Sequence, residues 1–114
     1  MSLDITITQM KRVQLFELSG RVDTTNAGDL GIALDEALNN GHNHLVVDMS
    51  QVAYLSSAGL RELVKGRNRA KQGVTTGDLC IACPSEKVLN VLELAGLDSV
   101  FQIFETQAEA VGSF

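Results

Sequence analysis

HLVVDMSQVAYLSSAGL, residues 44–60, is the segment that decides the fold. It begins with residues 44–48, a short apolar run rich in β-branched side chains, which is typical of a strand covered on both faces. After the segment's two adjacent serines, apolar residues recur at the spacing of one helix face: Leu60, Leu63, Val64 and Ala70. The pattern therefore predicts a buried strand, a turn, and a helix that begins near Ser56 and Ser57.

The two serines suit the start of a helix. The first backbone N–H groups of a helix have no partner within it, and a serine hydroxyl can accept a hydrogen bond from one of them. Ser56 or Ser57 is therefore the predicted N-cap. A hydroxyl at this position is also a plausible phosphorylation site. Spacing alone leaves the capping role and the phosphorylation role both open.

The N-terminal third predicts a hairpin and a helix. Leu3, Ile5 and Ile7 alternate with polar residues, as in a half-exposed strand, and residues 13–18 repeat that pattern after a turn near Lys11. We expect the two strands to pair antiparallel. Thr24 or Thr25 is then predicted to cap a helix. The helix ends at the Asn-Asn-Gly sequence of residues 39–41, and its apolar stripe consists of Ala27, Leu30, Leu34, Ala37 and Leu38.

The C-terminal half continues the alternation of strands and helices. In order, the predicted elements are a strand from Leu79, a helix between Pro84 and Gly96, a strand from Val100 to Phe104, and a last helix with capping-box spacing between Thr106 and Glu109. Because strands and helices alternate after the hairpin, we expect an α/β fold with a mainly parallel sheet.

The composition of the chain indicates its broad class of protein. The chain has 114 residues, 45% of them hydrophobic and 20% charged, which predicts a single domain over residues 1–114 with one core. No apolar run approaches the ~20 residues of a membrane span, and residues 1–10 lack the basic start and apolar block of a signal peptide. We therefore expect a cytoplasmic protein. A net charge of −5 argues against general nucleic-acid affinity.

Four stretches of the sequence resemble one known family. They are residues 48–60, Leu18-Ser19-Gly20-Arg21-Val22-Asp23, Cys80-Ile81-Ala82-Cys83-Pro84, and Leu92-Glu93-Leu94-Ala95-Gly96-Leu97. In this order they are similar to the bacterial anti-sigma factor antagonists, which carry the STAS domain. The resemblance covers nearly the whole chain. It implies the STAS fold, in which a mainly parallel sheet has an antiparallel N-terminal strand and the helices lie mostly on one side.

The resemblance also implies functional positions. The family's phosphorylated serine falls on Ser57, the aspartate before it falls on Ser56, and the family's second hydroxyl residue falls on Ala58. The last two positions depart from the family pattern, and the lost carboxylate bears on regulation more than on fold. The partner-binding residues expected by this resemblance are Asp23, Thr24, Ser56, Ala58, Gly59 and Arg61.

The implied function is a protein switch without catalytic activity. The unmodified domain binds an anti-sigma factor that is also a serine kinase, and so releases the sigma factor. Phosphorylation of Ser57 ends that binding and a phosphatase restores it. The domain itself needs no cofactor or metal, because the ATP belongs to the kinase. No nucleotide-binding or nucleophile motif in the sequence suggests an enzyme.

Two other functions remain open. One is a STAS-like scaffold or subunit of a signalling or transport assembly that is never phosphorylated, an alternative that Ser56 in place of the aspartate keeps open. The other is a receiver-like domain phosphorylated on Asp48, which also ends an apolar run, although the acidic pair and the lysine of such domains are missing.

Other reactive residues fit structural roles better. Cys80 and Cys83 form a Cys-x-x-Cys motif, but Cys80 lies within an apparent buried strand, so we interpret it as a small buried hydrophobe. His42 and His44 have no acidic or cysteine cluster beside them and predict no metal site. Five of the nine basic residues follow Ser57 on one helix and indicate either a docking face or a solvated face: Arg61, Lys65, Arg67, Arg69 and Lys71.

Overall fold

A computed structural model describes residues 3–73 and 76–114; Met1 and Ser2, part of the segment considered above for a signal peptide, lie outside the described residues. The described chain forms a five-stranded mixed sheet whose strands lie in sequence order. The first strand pairs antiparallel with the second, and the remaining pairs are parallel. The strands are β1 (Leu3–Met10), β2 (Val13–Val22), β3 (His44–Leu55), β4 (Asp78–Ala82) and β5 (Ile103–Phe104). This architecture confirms the predicted fold class.

Four helices of the described residues connect and close the sheet: α1 (Ala27–Asn39), α2 (Ser57–Lys71), α3 (Glu86–Leu94) and α4 (Gln107–Gly112). The first three contribute to the larger core cluster, whereas α4 packs its Ala110 into a smaller cluster on the opposite face. Helices therefore lie mostly on one side, as expected. Among the described residues, no helix has both the length and the apolar character needed to cross a membrane.

Alternation along the central strands separates the two cores. On β3, Leu45 and Val47 belong to the larger cluster, and Val46 between them belongs to the smaller one. Successive side chains of a strand point to opposite faces, so a strand covered on both faces must be apolar at every position. Each fully buried aliphatic side chain stabilises the fold by about 1.5–3 kcal/mol. This burial explains the continuous apolar run at residues 45–47.

The third strand is longer than predicted, because no turn follows Asp48. The strand continues to Leu55, and its larger-core residues change from a spacing of two to a spacing of three: Val47, Met49, Val52 and Leu55. The β2–β3 pairing shows register shifts in the same region, beyond Glu17 and beyond Gly20. Such irregularities let a strand keep its apolar side chains on the core face without strict alternation.

Two local predictions near the ends of elements were wrong. The strand predicted over Val100 to Phe104 is only Ile103–Phe104, because the N–H groups of Val100 and Phe101 donate to the Leu97 carbonyl in a turn. Phe101 still packs into the core from that turn. Neither Thr24 nor Thr25 caps α1. Asn26 holds the N-cap position without a side-chain capping bond.

The other helix ends match their predicted signals. Ser85 follows Pro84 and caps α3, where its Oγ accepts from the N–H of Val88 at 3.3 Å. Gly96, just after that helix, has φ +72°, a conformation that glycine adopts at little steric cost. The Thr106 hydroxyl accepts from the N–H of Glu109 at 3.1 Å and caps α4.

Candidate functional site at the start of the second helix

The site lies where β2 and β3 end side by side. Val22 pairs with Leu55 in the parallel register, and the N–H of Ser56 donates to the Val22 carbonyl at 2.8 Å. The carboxyl ends of parallel strands meet at one edge of a sheet, so the loop after β2 and the start of α2 come together there. Asp23 and Ser57 therefore follow neighbouring strands at one edge of the sheet.

Ser56 is the N-cap of α2. Its backbone is extended, its Oγ accepts from the N–H of Gly59 at 3.2 Å, and its carbonyl accepts from the N–H of Leu60 at 3.0 Å. Only 6% of the residue is exposed. The predicted capping role is therefore confirmed for Ser56, whose hydroxyl is engaged inside the protein. The family's aspartate would supply the same acceptor, because Asp and Ser are both strong N-caps.

Ser57 is the first residue of α2 and is exposed. Its hydroxyl makes no hydrogen bond with any described residue, so it is not needed as a cap. The two N–H groups that follow Ala58 along the helix are bonded to Ser56, which leaves those of Ser57 and Ala58 as the free donors of the first turn. The structure thus divides the two serines between a buried cap and an accessible hydroxyl.

Gly59 lets the helix approach the sheet closely. A Cβ atom at this position would lie 2.6 Å from Cγ1 of Val22 and 2.8 Å from Cδ1 of Leu55, closer than packed carbon atoms can come. Ala58 is half-buried and packs against the same core. Ser56 and Gly59 therefore shape the site from within, and their predicted direct contact with a partner stays a prediction.

The loop after β2 is held by its own side chains. The Asp23 carboxylate accepts from the hydroxyl and N–H of Thr25, at 2.6 and 2.9 Å, and from the N–H of Asn26 at 3.2 Å. The hydrogen bond from the Thr25 hydroxyl is the main cause that lowers the pKa of Asp23. The Asn26 amide accepts from the N–H of Asp23 and donates to the Arg21 carbonyl. This network leaves Thr24 exposed at the tip of a rigid turn.

The basic residues of α2 are mostly paired within the fold. Four of the five form ion pairs: Lys65 with Glu62, Arg67 and Lys71 with Asp78, and Arg69 with Asp35. The fifth, Arg61, is exposed and forms no ion pair with a described residue. It lies four residues after Ser57, on the same face of the helix. The pairing favours a solvated helix face for most of the run, and Arg61 is the member of the run on the Ser57 face without an ion pair to a described residue.

One pair of residues at this edge of the sheet was not predicted from the sequence. The guanidinium of Arg21, near the end of β2, lies 4.4 Å from the ring centroid of Tyr54, its register partner on β3. Tyr54 is 41% exposed. An aromatic residue two positions before the serines was a visible signal, but nothing in the sequence showed that Arg21 would face it.

The cysteine and histidine residues outside the site have environments that suit structural roles. Cys80 is buried, and desolvation is the main cause that raises its pKa to about 11, so its thiolate is scarce at neutral pH. Desolvation also raises the pKa of the half-buried Cys83. His44 stacks on Phe114 and its Nε2 lies 3.0 Å from the Thr76 carbonyl oxygen. Across residues 3–73 and 76–114, no group of histidine, cysteine, aspartate or glutamate side chains could hold a metal ion.

Asp48 is poorly placed to accept a phosphoryl group. Only 5% of it is exposed, and its Oδ1 accepts from the N–H of Ser50 at 2.8 Å. The Gln107 amide of α4 donates to its other oxygen. Asp48 also lies within β3, seven residues before its end, whereas a receiver-like site would need an exposed carboxylate at the strand end. The geometry therefore does not support the receiver-like alternative.

Comparison with known proteins points to one family. The family model for the STAS domain matches residues 4–110. The anti-sigma-F factor antagonist RsfB of Mycobacterium tuberculosis is 27% identical over 110 residues, which are 96% of this chain and 88% of RsfB.

Solved structures agree with this match. The crystal structure of an anti-sigma factor antagonist from Mycobacterium paratuberculosis superposes with a TM-score of 0.87 at 26% identity, over 98% of this chain and 93% of the other. The anti-sigma factor antagonist SpoIIAA in its unphosphorylated form superposes with a TM-score of 0.81 over 95% of this chain and 93% of its own. Its 16% identity shows a shared fold only.

Proposed function

The chain belongs to the STAS domain family, and we propose that it is an anti-sigma factor antagonist that Ser57 switches. In its unmodified form it binds an anti-sigma factor that is also a serine kinase, so that the sigma factor is released. The relatives named as anti-sigma factor antagonists support the role. The single observation that carries the switch is the exposed, unbonded hydroxyl of Ser57 at the start of α2.

The modification is an ordinary phosphoryl transfer. The Ser57 oxygen attacks the γ-phosphorus of ATP bound with magnesium in the kinase, an O–P bond forms, the bond to the β,γ-bridging oxygen breaks, and ADP leaves. The hydroxyl proton passes to a base of the kinase. A phosphatase later hydrolyses the ester to serine and inorganic phosphate. In this proposal the domain catalyses nothing, holds no cofactor, and works in the bacterial cytoplasm.

The helix start tolerates the new charge. A phosphate adds about −1.5 to −2 charges at pH 7, and the N-terminus of a helix favours anions through its dipole and its free N–H groups. Here those donors are the N–H groups of Ser57 and Ala58, because Ser56 occupies the next two. We therefore expect phosphorylation to leave the fold intact.

The interface is where the phosphate acts. A partner that covers Ser57 in the unmodified form would have to desolvate a dianion or place its own groups against it. A penalty of a few kcal/mol suffices for about 100-fold weaker binding. Phosphorylation thus separates the complex without unfolding either protein.

The test begins with capture of the partner. The purified chain serves as bait for each anti-sigma factor encoded in the same genome, and a captured protein is then incubated with the chain, ATP and magnesium. Mass spectrometry should find one phosphate, on Ser57. Ser57→Ala should abolish the modification, whereas Ser50→Ala, at an exposed serine within β3, should not change it. Equal phosphorylation of Ser57→Ala would refute the site.

The scaffold alternative has one observation in its favour. Ser56 and Ala58 replace two polar residues that flank the serine in the family pattern, so this edge lacks a carboxylate beside the acceptor. A chain that binds a signalling or transport assembly, and that no captured kinase modifies, would favour this second function. Capture of a small ATP-binding kinase would favour the first.

A further inference from the structure

Arg21 and Tyr54 form a stacked pair at the same edge as Ser57. The guanidinium carbon lies 4.4 Å from the ring centroid, and the two residues face each other across β2 and β3. The next register pair is Val22 with Leu55, and the Val22 carbonyl accepts directly from the N–H of Ser56. The stacked pair is therefore one register position away from the start of α2.

The fold leaves most of this pair unused. Tyr54 is 41% exposed, and its hydroxyl makes no hydrogen bond with a described residue. Arg21 forms no ion pair with any residue in the described ranges. The charge of Arg21 acts on the carboxylate of Asp23, which the Thr25 hydroxyl and backbone N–H groups already engage. An exposed aromatic ring and a cation without an ion pair thus lie together at the strand ends that precede α2.

The chemistry of the pair fits an acidic protein partner. A guanidinium over an aromatic ring can still offer two N–H groups to the two oxygens of a carboxylate. Tyrosine and arginine, together with tryptophan, are the residue types enriched among the side chains that dominate binding energy at protein interfaces. Because the whole chain carries a net charge of −5, a local cation also determines where an acidic group can approach without repulsion.

We propose that Arg21 and Tyr54 are a docking pair for the anti-sigma factor, in which Arg21 binds an aspartate or glutamate of the partner and Tyr54 packs against the neighbouring apolar side chain. This inference rests on the proposed function and adds the chemistry of the partner to it. The pair holds the partner over the start of α2 and so brings Ser57 into the interface. Neither residue reacts.

The first experiment is a calorimetric titration with the captured anti-sigma factor. Arg21→Gln and Tyr54→Ala should each raise Kd at least ten-fold, and Arg21→Lys should give an intermediate loss, since it keeps the charge but not the planar fork. Arg12→Gln is the matched control. Arg12 is exposed and, like Arg21, forms no ion pair among the described residues, but it lies in the β1–β2 hairpin at the other end of the strands. The Kd of Arg12→Gln should stay within two-fold of the wild-type value.

A second measurement keeps the proposal testable if a variant folds poorly. The chain contains one tyrosine, so wild-type protein labelled with 3-fluorotyrosine gives a single ¹⁹F resonance from Tyr54. Saturation with the anti-sigma factor should shift or broaden that resonance.

The outcomes separate this inference from the proposed function. If wild-type protein binds the anti-sigma factor while Arg21→Gln and Tyr54→Ala bind within two-fold of it, the docking pair is wrong and the proposed function stands. An unchanged ¹⁹F resonance at saturation has the same meaning. If wild-type protein binds no anti-sigma factor, both fail.

Discussion

Replacing Gly59 with alanine tests how the site is built. The new Cβ would lie 2.6 Å from Cγ1 of Val22 and 2.8 Å from Cδ1 of Leu55, and both side chains are almost fully buried. Val22 is β-branched and its methyl group cannot turn aside freely, so α2 must move away from the sheet. Overpacking of this kind costs about 1–3 kcal/mol.

A helical alanine also brings an opposing gain. Within a helix, alanine is favoured over glycine by about 0.8–1 kcal/mol. For Gly59→Ala we therefore expect a net loss of up to about 2 kcal/mol in the free energy of unfolding. The matched control is Gly28→Ala at the start of α1, where a Cβ would meet nothing within 4 Å. That variant should be unchanged or slightly more stable.

Urea unfolding followed by circular dichroism measures both variants. With a slope of about 2 kcal/mol per molar urea, the midpoint of Gly59→Ala should fall by up to roughly 1 M at an unchanged slope. The same variant should also be phosphorylated more slowly, because Ser57 lies two residues away on the displaced helix. A Gly59→Ala protein as stable as Gly28→Ala would refute the close approach of α2 to the sheet.

Three further predictions concern single side chains of the site and the core. Ser56→Ala should lose about 1 kcal/mol of unfolding free energy, as other N-cap losses do, whereas Ser56→Asp should keep the cap; equal losses in urea would contradict the capping role. The pKa of Asp23 lies below 3.8, so its stabilising contribution is present above that pH and disappears as pH falls through the folded-state pKa. The stability gap between wild type and Asp23→Asn should therefore be constant near pH 7 and narrow as the pH falls below 3.8, and a gap that does not narrow in acid would argue against an ionised carboxylate as its source. Cys80, with a pKa of about 11 and almost no exposed surface, should react with a thiol reagent at pH 8 far more slowly than the half-buried Cys83, and only at the rate of local opening; equal rates in native protein would contradict its burial.

The sequence predicted those parts of the fold that local patterns determine. The apolar run at residues 45–47 indicated a strand covered on both faces, because side-chain direction alternates along any strand. Three residues marked helix ends: Thr106 by its hydroxyl, Pro84 by its ring and Gly96 by its missing Cβ. Such signals depend on a few residues adjacent in the chain, so they can be recognised without knowing how the rest of the chain packs.

Where tertiary contacts determine the structure, the local sequence patterns gave a wrong prediction or none. The second half of β3 lost strict alternation because register shifts against β2 keep Val52 and Leu55 on the core face. The apolar residues Val100 and Phe101 indicated a strand, but their N–H groups donate to the Leu97 carbonyl in the turn after α3. At the start of α1, hydrogen bonds centred on Asp23 replaced the expected threonine cap.

The same division holds for the site. The sequence alone determined that a hydroxyl would stand at a helix start after a buried strand, since both features depend on residues adjacent in the chain. Only the tertiary structure decided that Ser56 is buried and engaged while Ser57 is exposed, because their burial depends on how closely Gly59 lets α2 approach Val22 and Leu55. It alone brought Arg21 over Tyr54, since the pairing of two strands far apart in sequence sets which side chains face each other.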